Sequence, residues 1–316
     1  MSISTATGVT LRPLDERDLS EADVIFRAAF NTFVGADDLF GDSDYVRTRY
    51  RSDPTASVGA ESDGRLVGSN FITNWGSIGF FGPLTVRPDL WDQGIASRLM
   101  ETTMQLFADR AIAHTGLFTF PHSAKHLGLY QKFGYSPQHL TPVMAKPIDC
   151  ATSSPPELHV VSTAGAERNE LIGACRTLTD MVHGGLDLTH EIAAVDEQNL
   201  GDTLVLTDDR GATAMAVCHV GPGTEAGSGA CYVKFAAVRP GRDAAEHFEQ
   251  LLDGCERFAA SRQAQVVVLG VSTACVEAYA SVVLRGYRTQ MIGVTMERPN
   301  MCGYHRSGNY IIDDWR

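Results

Sequence analysis

Hydrophobic positions along the chain recur with two periods, and the periods divide it into helices and strands. From Ser20 to Phe33, Ala22, Ile25, Phe26, Ala29 and Phe30 recur at helical spacing, with Ser20 placed as the N-cap. A longer helix is expected from Gly94 to His114, with Ile95, Leu99, Leu106 and Phe107 inward and Arg98, Glu101, Gln105 and Asp109 outward. Ala124–Phe133 predicts a third. Between them lie strand-length apolar runs at Val9–Leu14, Ser57–Ala60, Leu66–Thr73, Ile78–Val86, Leu117–Phe120 and Pro142–Lys146. Asp63-Gly64 folds the second run onto the third as a hairpin. Residues 34–56 are polar and Asp-rich, with room for one short helix.

The same outline returns in the second half. Strands are expected at Thr203–Thr207, Ala214–Val220, Ala230–Val238 and Gln265–Val271, and helices at Ala244–Ala260 and Cys275–Arg285. Val86-Arg87-Pro88 recurs as Val238-Arg239-Pro240, and Gly134-Tyr135 as Gly286-Tyr287. Met144 and Pro147 recur as Met296 and Pro299 at the same offset of 152 residues. Short matches at one constant offset point to duplication of a domain. Asp149–Glu157, with Ser, Thr and paired Pro, reads as the linker. The expected division is therefore 1–148, a linker at 149–157, a second domain at 158–300, and a tail at 301–316 that packs as a strand or arm. The fold class is α/β (α+β): two tandem domains, each a mixed, mostly antiparallel sheet of about six or seven strands flanked by helices.

Composition narrows the function classes. The 316 residues carry a formal net charge of −12, which disfavours nucleic acid and anionic membranes as partners. No apolar run reaches the length of a membrane helix, and residues 1–10 lack the pattern of a secretory signal. The seven cysteines are odd in number and lack Cys-x-x-Cys spacing, which suits free thiols, a metal-free protein and a cytoplasmic location.

Chemistry concentrates in two segments. In Leu84–Arg98 an apolar strand ends at Val86, Pro88 stops it, and Gln93-Gly94-Ile95-Ala96 opens a helix. The amides of a first helical turn are unpaired and carry partial positive charge. Gly94 and Ala96 would leave them open to a phosphate, or Gly94 merely eases the junction. In Leu129–Tyr135, Gly134 suits a helix C-cap, and Tyr130 is either a packed aromatic or a proton donor.

Together these segments resemble the GNAT superfamily of acyl-CoA-dependent N-acyltransferases, over residues 8–148. Val86-Arg87-Pro88, Gly94 and Ala96 match its cofactor motif, with Trp91 departing from the usual Arg or Gln. Leu129, Tyr130, Lys132, Gly134 and Tyr135 match its later motif, with Ser123 and His126 in place of Asn and Ala. The resemblance implies transfer of an acetyl or other acyl group from acetyl-CoA to a primary amine by direct attack. It implies that Leu84, Thr85 and Val86 pair with the pantetheine arm. Gln93, Gly94, Ile95, Ala96, Ser97 and Arg98 would cradle the pyrophosphate. Ser123 would contact the cofactor, and Tyr130 would act as general acid. No Asp or Glu lies in Ile78–Val86, so His122 is the expected base. Asp37, Asp38, Asp42 and Asp44 lie where the family builds acceptor specificity, as attractors of a cation or as solvated charges. The second copy places Glu246, Phe248 and Val282 where the first has Gly94, Ala96 and Tyr130, so it is expected to be silent. A monomer or homodimer is expected. The rival reading is a non-catalytic acyl-CoA-binding or sensory module.

Overall fold

The computed structural model describes residues 8–148 and 158–316. The expected linker, and Cys150 with it, lies outside the described residues. The first half runs β1 (Val9–Pro13), α1 (Leu19–Val34), α2 (Tyr45–Ser52), β2 (Ser57–Ser62), β3 (Arg65–Trp75), β4 (Ile78–Phe81), β5 (Thr85–Val86), α3 (Ile95–Asp109), β6 (His114–Thr119), α4 (Ala124–Gln131) and β7 (Ser136–Pro147). The second runs β8 (Leu158–Val160), α5 (Arg168–Val182), α6 (Thr189–Glu197), β9 (Gly201–Asp208), β10 (Gly211–Gly221), β11 (Gly227–Val238), α7 (Ala244–Ser261), β12 (Val266–Gly270), α8 (Val276–Leu284), β13 (Arg288–Arg298) and β14 (Ile311–Asp313).

Most elements fall where the periodicity puts them, and the differences have local causes. Ser20 lies inside α1 instead of capping it. A 3-10 turn at Glu16–Asp18 precedes the helix, closed by a capping box in which Asp15 accepts from the Arg17 amide and Asp18 accepts from the Asp15 amide. Expected as one strand, Ile78–Val86 is broken into β4 and β5. Gly82 adopts φ +147°, and Pro83 has no N–H to give a ladder. The long helix ends at Asp109 rather than His114, since Ala111 turns to positive φ and His114 starts β6.

The two halves share one sheet, in the order β1-β2-β3-β4-β6-β13-β7-β12-β11-β10-β9-β8. β6 and β7 do not pair with each other in it. β13 inserts between them, and β7 in turn pairs with β12. Each half thus lends its last long strand to the other. The register obeys the 152-residue offset: Thr115↔Arg298 matches Val267↔Lys146, and Arg288↔Ala145 matches Glu297↔Ser136. Parallel pairing of β4 with β6 at Ile78↔His114 matches that of β11 with β12 at Ala230↔Val266.

The tail is the part without a counterpart. β14 pairs antiparallel to β11 at Phe235, Ala236 and Ala237. At the same offset these correspond to residues 83–85, beside the break between β4 and β5. The tail then lays Trp315 across Gly116 of β6, where an added Cβ would fall 2.1 Å from the indole Cζ3. Only glycine at 116 leaves room for that ring.

Candidate acyl-transfer site

β4 pairs with β6 only from Ile78 to Phe80, after which the chain continues along β3 alone, where Thr85 and Val86 pair with Ser69 and Gly68. Beyond that point β5 and β6 diverge, and the wedge between them opens into a cavity of about 1760 Å³. Leu84, Thr85 and Val86 form one wall, Gln93–Arg98 the rim, and Tyr130 reaches in from α4. These are the residues of the two sequence segments, brought together by the parting strands. Such a volume exceeds the roughly 300–1,000 Å³ of ordinary small-molecule pockets, enough for two substrates at once.

At the rim, Gly94 sits in the left-handed region (φ +82°) with nothing near its missing Cβ. The first bond within α3 runs from the Arg98 amide to the Gly94 carbonyl at 3.2 Å. The amides of Ile95, Ala96 and Ser97 therefore have no carbonyl to bond inside the helix. An anion can be held there by backbone alone. Trp91 donates its indole N–H to the Val86 carbonyl at 2.8 Å, pinning the loop to β5. The Arg98 guanidinium is spent on the Val9 carbonyl and its amide on Gly94, so the open amides end at Ser97.

Two sequence candidates lie elsewhere. Ser123 does not line the cavity. It caps α4, its hydroxyl accepting from the His126 amide at 3.3 Å. His122 is exposed and stacks on Phe33 outside the lining, because the chain has already left the sheet at Phe120. His126 lines the cavity instead, in the first turn of α4 and one turn before Tyr130 on the same face. Burial, then the charges of Lys125 and His122, hold its pKa below the ordinary imidazole value. Tyr130 is 8% exposed and packs edge-on to Phe81 at 5.8 Å. Burial pushes its phenol well up despite a hydrogen bond with Thr119, so it stays protonated.

The floor comes from the second half, which no motif announced. Glu225, Tyr232, Met291, Trp315 and Arg316 all line the cavity. Beneath it runs a buried ionic chain. Arg49 of α2 donates to both oxygens of Glu225 (3.1 and 3.2 Å), to the Gly82 carbonyl (2.6 Å) and to the Arg316 carbonyl. Lys234 bridges Glu225 (3.0 Å) to Glu191 (2.8 Å), which accepts from the Trp75 indole. Burial would raise Glu225's pKa, but Arg49 and Lys234 hold it well below the usual carboxylate range. One end of this chain thus fixes Gly82, the residue at which β4 and β5 part.

The four aspartates of the Asp-rich loop are not in the cavity lining. Asp38 accepts from the Gly41 amide, Asp42 from Ser228, and Asp44 caps α2. In the second half the equivalent wedge is filled from within. β14 covers the β11 edge, and Phe248, fully buried, packs on Tyr310 at 5.2 Å. Val282, at the place of Tyr130, is also fully buried. Among the described residues no cluster of three or more His, Cys, Asp or Glu could hold a metal ion, and no helix is long and apolar enough to cross a membrane.

The acetyltransferase (GNAT) family matches residues 25–135. No curated protein matches the chain. Among solved structures, a candidate acetyltransferase from Pyrococcus horikoshii aligns with a TM-score of 0.70 at 13% identity, covering 98% of this chain and 95% of that one. A GCN5-related N-acetyltransferase from Sphaerobacter thermophilus aligns at 0.59 and 18% identity, covering 92% and 95%. One from Anabaena variabilis aligns at 0.55 and 15%, covering 92% and 72%. At these identities the likeness is one of fold, and it extends over both halves.

Proposed function

We propose that this chain, whose residues 25–135 match the acetyltransferase (GNAT) family, transfers an acetyl group from acetyl-CoA to a primary amine. One observation carries this reading: Leu84–Val86, Gln93–Arg98 and Tyr130 line a single cavity. The amides of Ile95, Ala96 and Ser97 hold the pyrophosphate, and Leu84–Val86 offer backbone to the pantetheine arm. The thioester is supplied already activated, so the protein's work is positioning and proton transfer. A neutral amine attacks, the C–N bond forms and the C–S bond breaks. The amine's proton passes to His126, and the thiolate leaves beside the Tyr130 hydroxyl. The second half binds no acyl-CoA of its own and serves as the floor of the first. Incubation with acetyl-CoA and a panel of amines, read as free thiol and acetylated product, tests the proposal. Absence of acetyl-CoA binding by calorimetry overturns it, as does binding of more than one per chain for the silent second half.

Gly94→Glu, which copies the second half's Glu246, is expected to weaken coenzyme A binding about tenfold by putting a like charge at the phosphate site. Gly94→Ala carries the strain of φ +82° without the charge and is the control. His126→Gln is expected to lower kcat/KM roughly tenfold at neutral pH. Because the imidazole pKa is depressed, the base form is present by neutral pH, and wild-type activity should rise with pH below the ordinary imidazole value and then level off. The variant should lose that acid limb in a pH–rate profile.

A further inference from the structure

The acceptor side of the cavity is walled by aromatic rings. Phe30 and Phe33 lie three residues apart on one face of α1, Phe40 follows in the loop before α2, and Phe120 stands just past β6. Phe33 meets Phe120 at 5.0 Å, Phe30 meets Phe40 at 5.3 Å and Phe120 at 6.3 Å between ring centroids. All four are only partly buried, leaving apolar surface open to the cavity. Charge on this side is already committed. In the Asp-rich loop Asp38 is spent on a turn, Asp42 on Ser228 and Asp44 on a cap, Glu225 is held by Arg49 and Lys234, and Arg316 pairs with Asp314 over the Tyr232 ring. Nothing among these groups is free to hold a second ammonium or a sugar's hydroxyls.

An extended acyl chain is a poor match for the same wall. The inner end of the wedge, behind Tyr130, is closed by Phe81, which packs on Tyr130 (5.8 Å), Tyr135 (5.7 Å) and Phe107 (6.3 Å). Room lies instead over the open faces of Phe30, Phe33, Phe40 and Phe120, which line the same cavity. Resting on the acetyl-transfer reading above, we propose that the acceptor is a monoamine bearing an apolar group the size of one ring or a branched alkyl chain, seated on Phe30, Phe33, Phe40 and Phe120. The wall also explains how the nucleophile is delivered. An apolar surround disfavours the ammonium form, so the amine sheds its proton on seating.

The test compares 2-phenylethylamine and isoamylamine with spermidine and glucosamine at saturating acetyl-CoA, following free thiol and product mass. The apolar amines should exceed the other two in kcat/KM by about 100-fold, the span an apolar pocket gives. Phe33→Ala should raise the KM for 2-phenylethylamine about tenfold with the acetyl-CoA dissociation constant within about twofold. Phe120→Leu, which keeps an apolar side chain, should show a smaller rise and serves if the alanine variant does not fold. Spermidine or glucosamine as the fastest acceptor overturns the inference while leaving acetyl transfer standing. So does a preference for octanoyl-CoA over acetyl-CoA that Phe33→Ala removes, because the wall would then belong to the acyl chain. If acetyl-CoA binds and no amine is acetylated, the transferase reading fails and takes this one with it.

Discussion

Replacing Tyr130 with Phe is expected to lower kcat for acetyl transfer by about 100- to 1,000-fold, the loss of one hydrogen-bond donor at a developing anion. The coenzyme A dissociation constant should stay within about twofold, because backbone amides carry that binding. Burial gives the expected role a sharper form. A phenol whose pKa is pushed up is a weaker acid than the conjugate of a thiolate leaving group, ordinarily about 8.5. Tyr130 therefore donates a hydrogen bond to the departing sulfur and keeps its proton. The sign follows: the phenol remains a donor as pH rises past the ordinary tyrosine value, so it adds no basic limb to the wild-type profile. Single-turnover rates with binding isotherms decide the matter. Unchanged rate and affinity in the variant would remove Tyr130 from catalysis.

Arg49→Met is expected to cost about 3–5 kcal/mol of stability in a denaturant titration, the scale for removing one partner of a buried ion pair. Arg49 is 5% exposed and Glu225 3%. Without the guanidinium, Lys234 faces both Glu225 and Glu191, with buried His219 3.9 Å from Glu191. The double variant Arg49→Met/Glu225→Met leaves Lys234 matched to Glu191 and should recover part of the loss. Additive losses would contradict the network. Since Arg49 also holds the Gly82 carbonyl, the single variant should raise the KM for acetyl-CoA through the loosened wedge.

How much of this could be read from residues alone depends on distance along the chain. The helical stripes of α1 and α3 and the motif around Gly94 are local, and they appear where the pattern put them. The Gly82-Pro83 break was in view, but a strand's alternation does not show which neighbour it will lose. The exchange of β7 and β13 left no trace for a related reason: a strand presents the same face whichever strand lies beside it. His126 was recoverable. It lies four residues before Tyr130, and Ser123 as a cap starts α4 early enough to put both on one face. The Arg49–Glu225 pair was not, because its partners lie 176 residues apart with no motif linking them.

The exchanged strands also set an order in time. A chain is made from its N-terminal side, and β7 emerges before either of its partners, β12 and β13, exists. Until they follow, Ser136–Pro147 and the free side of β6 are bare edges, the kind that invite pairing with another nascent chain. The cavity meanwhile lacks Glu225, Tyr232 and Trp315. The half that carries the motifs is thus born dependent on the half that lost them, and the newly made protein gains its site only when the later strands arrive.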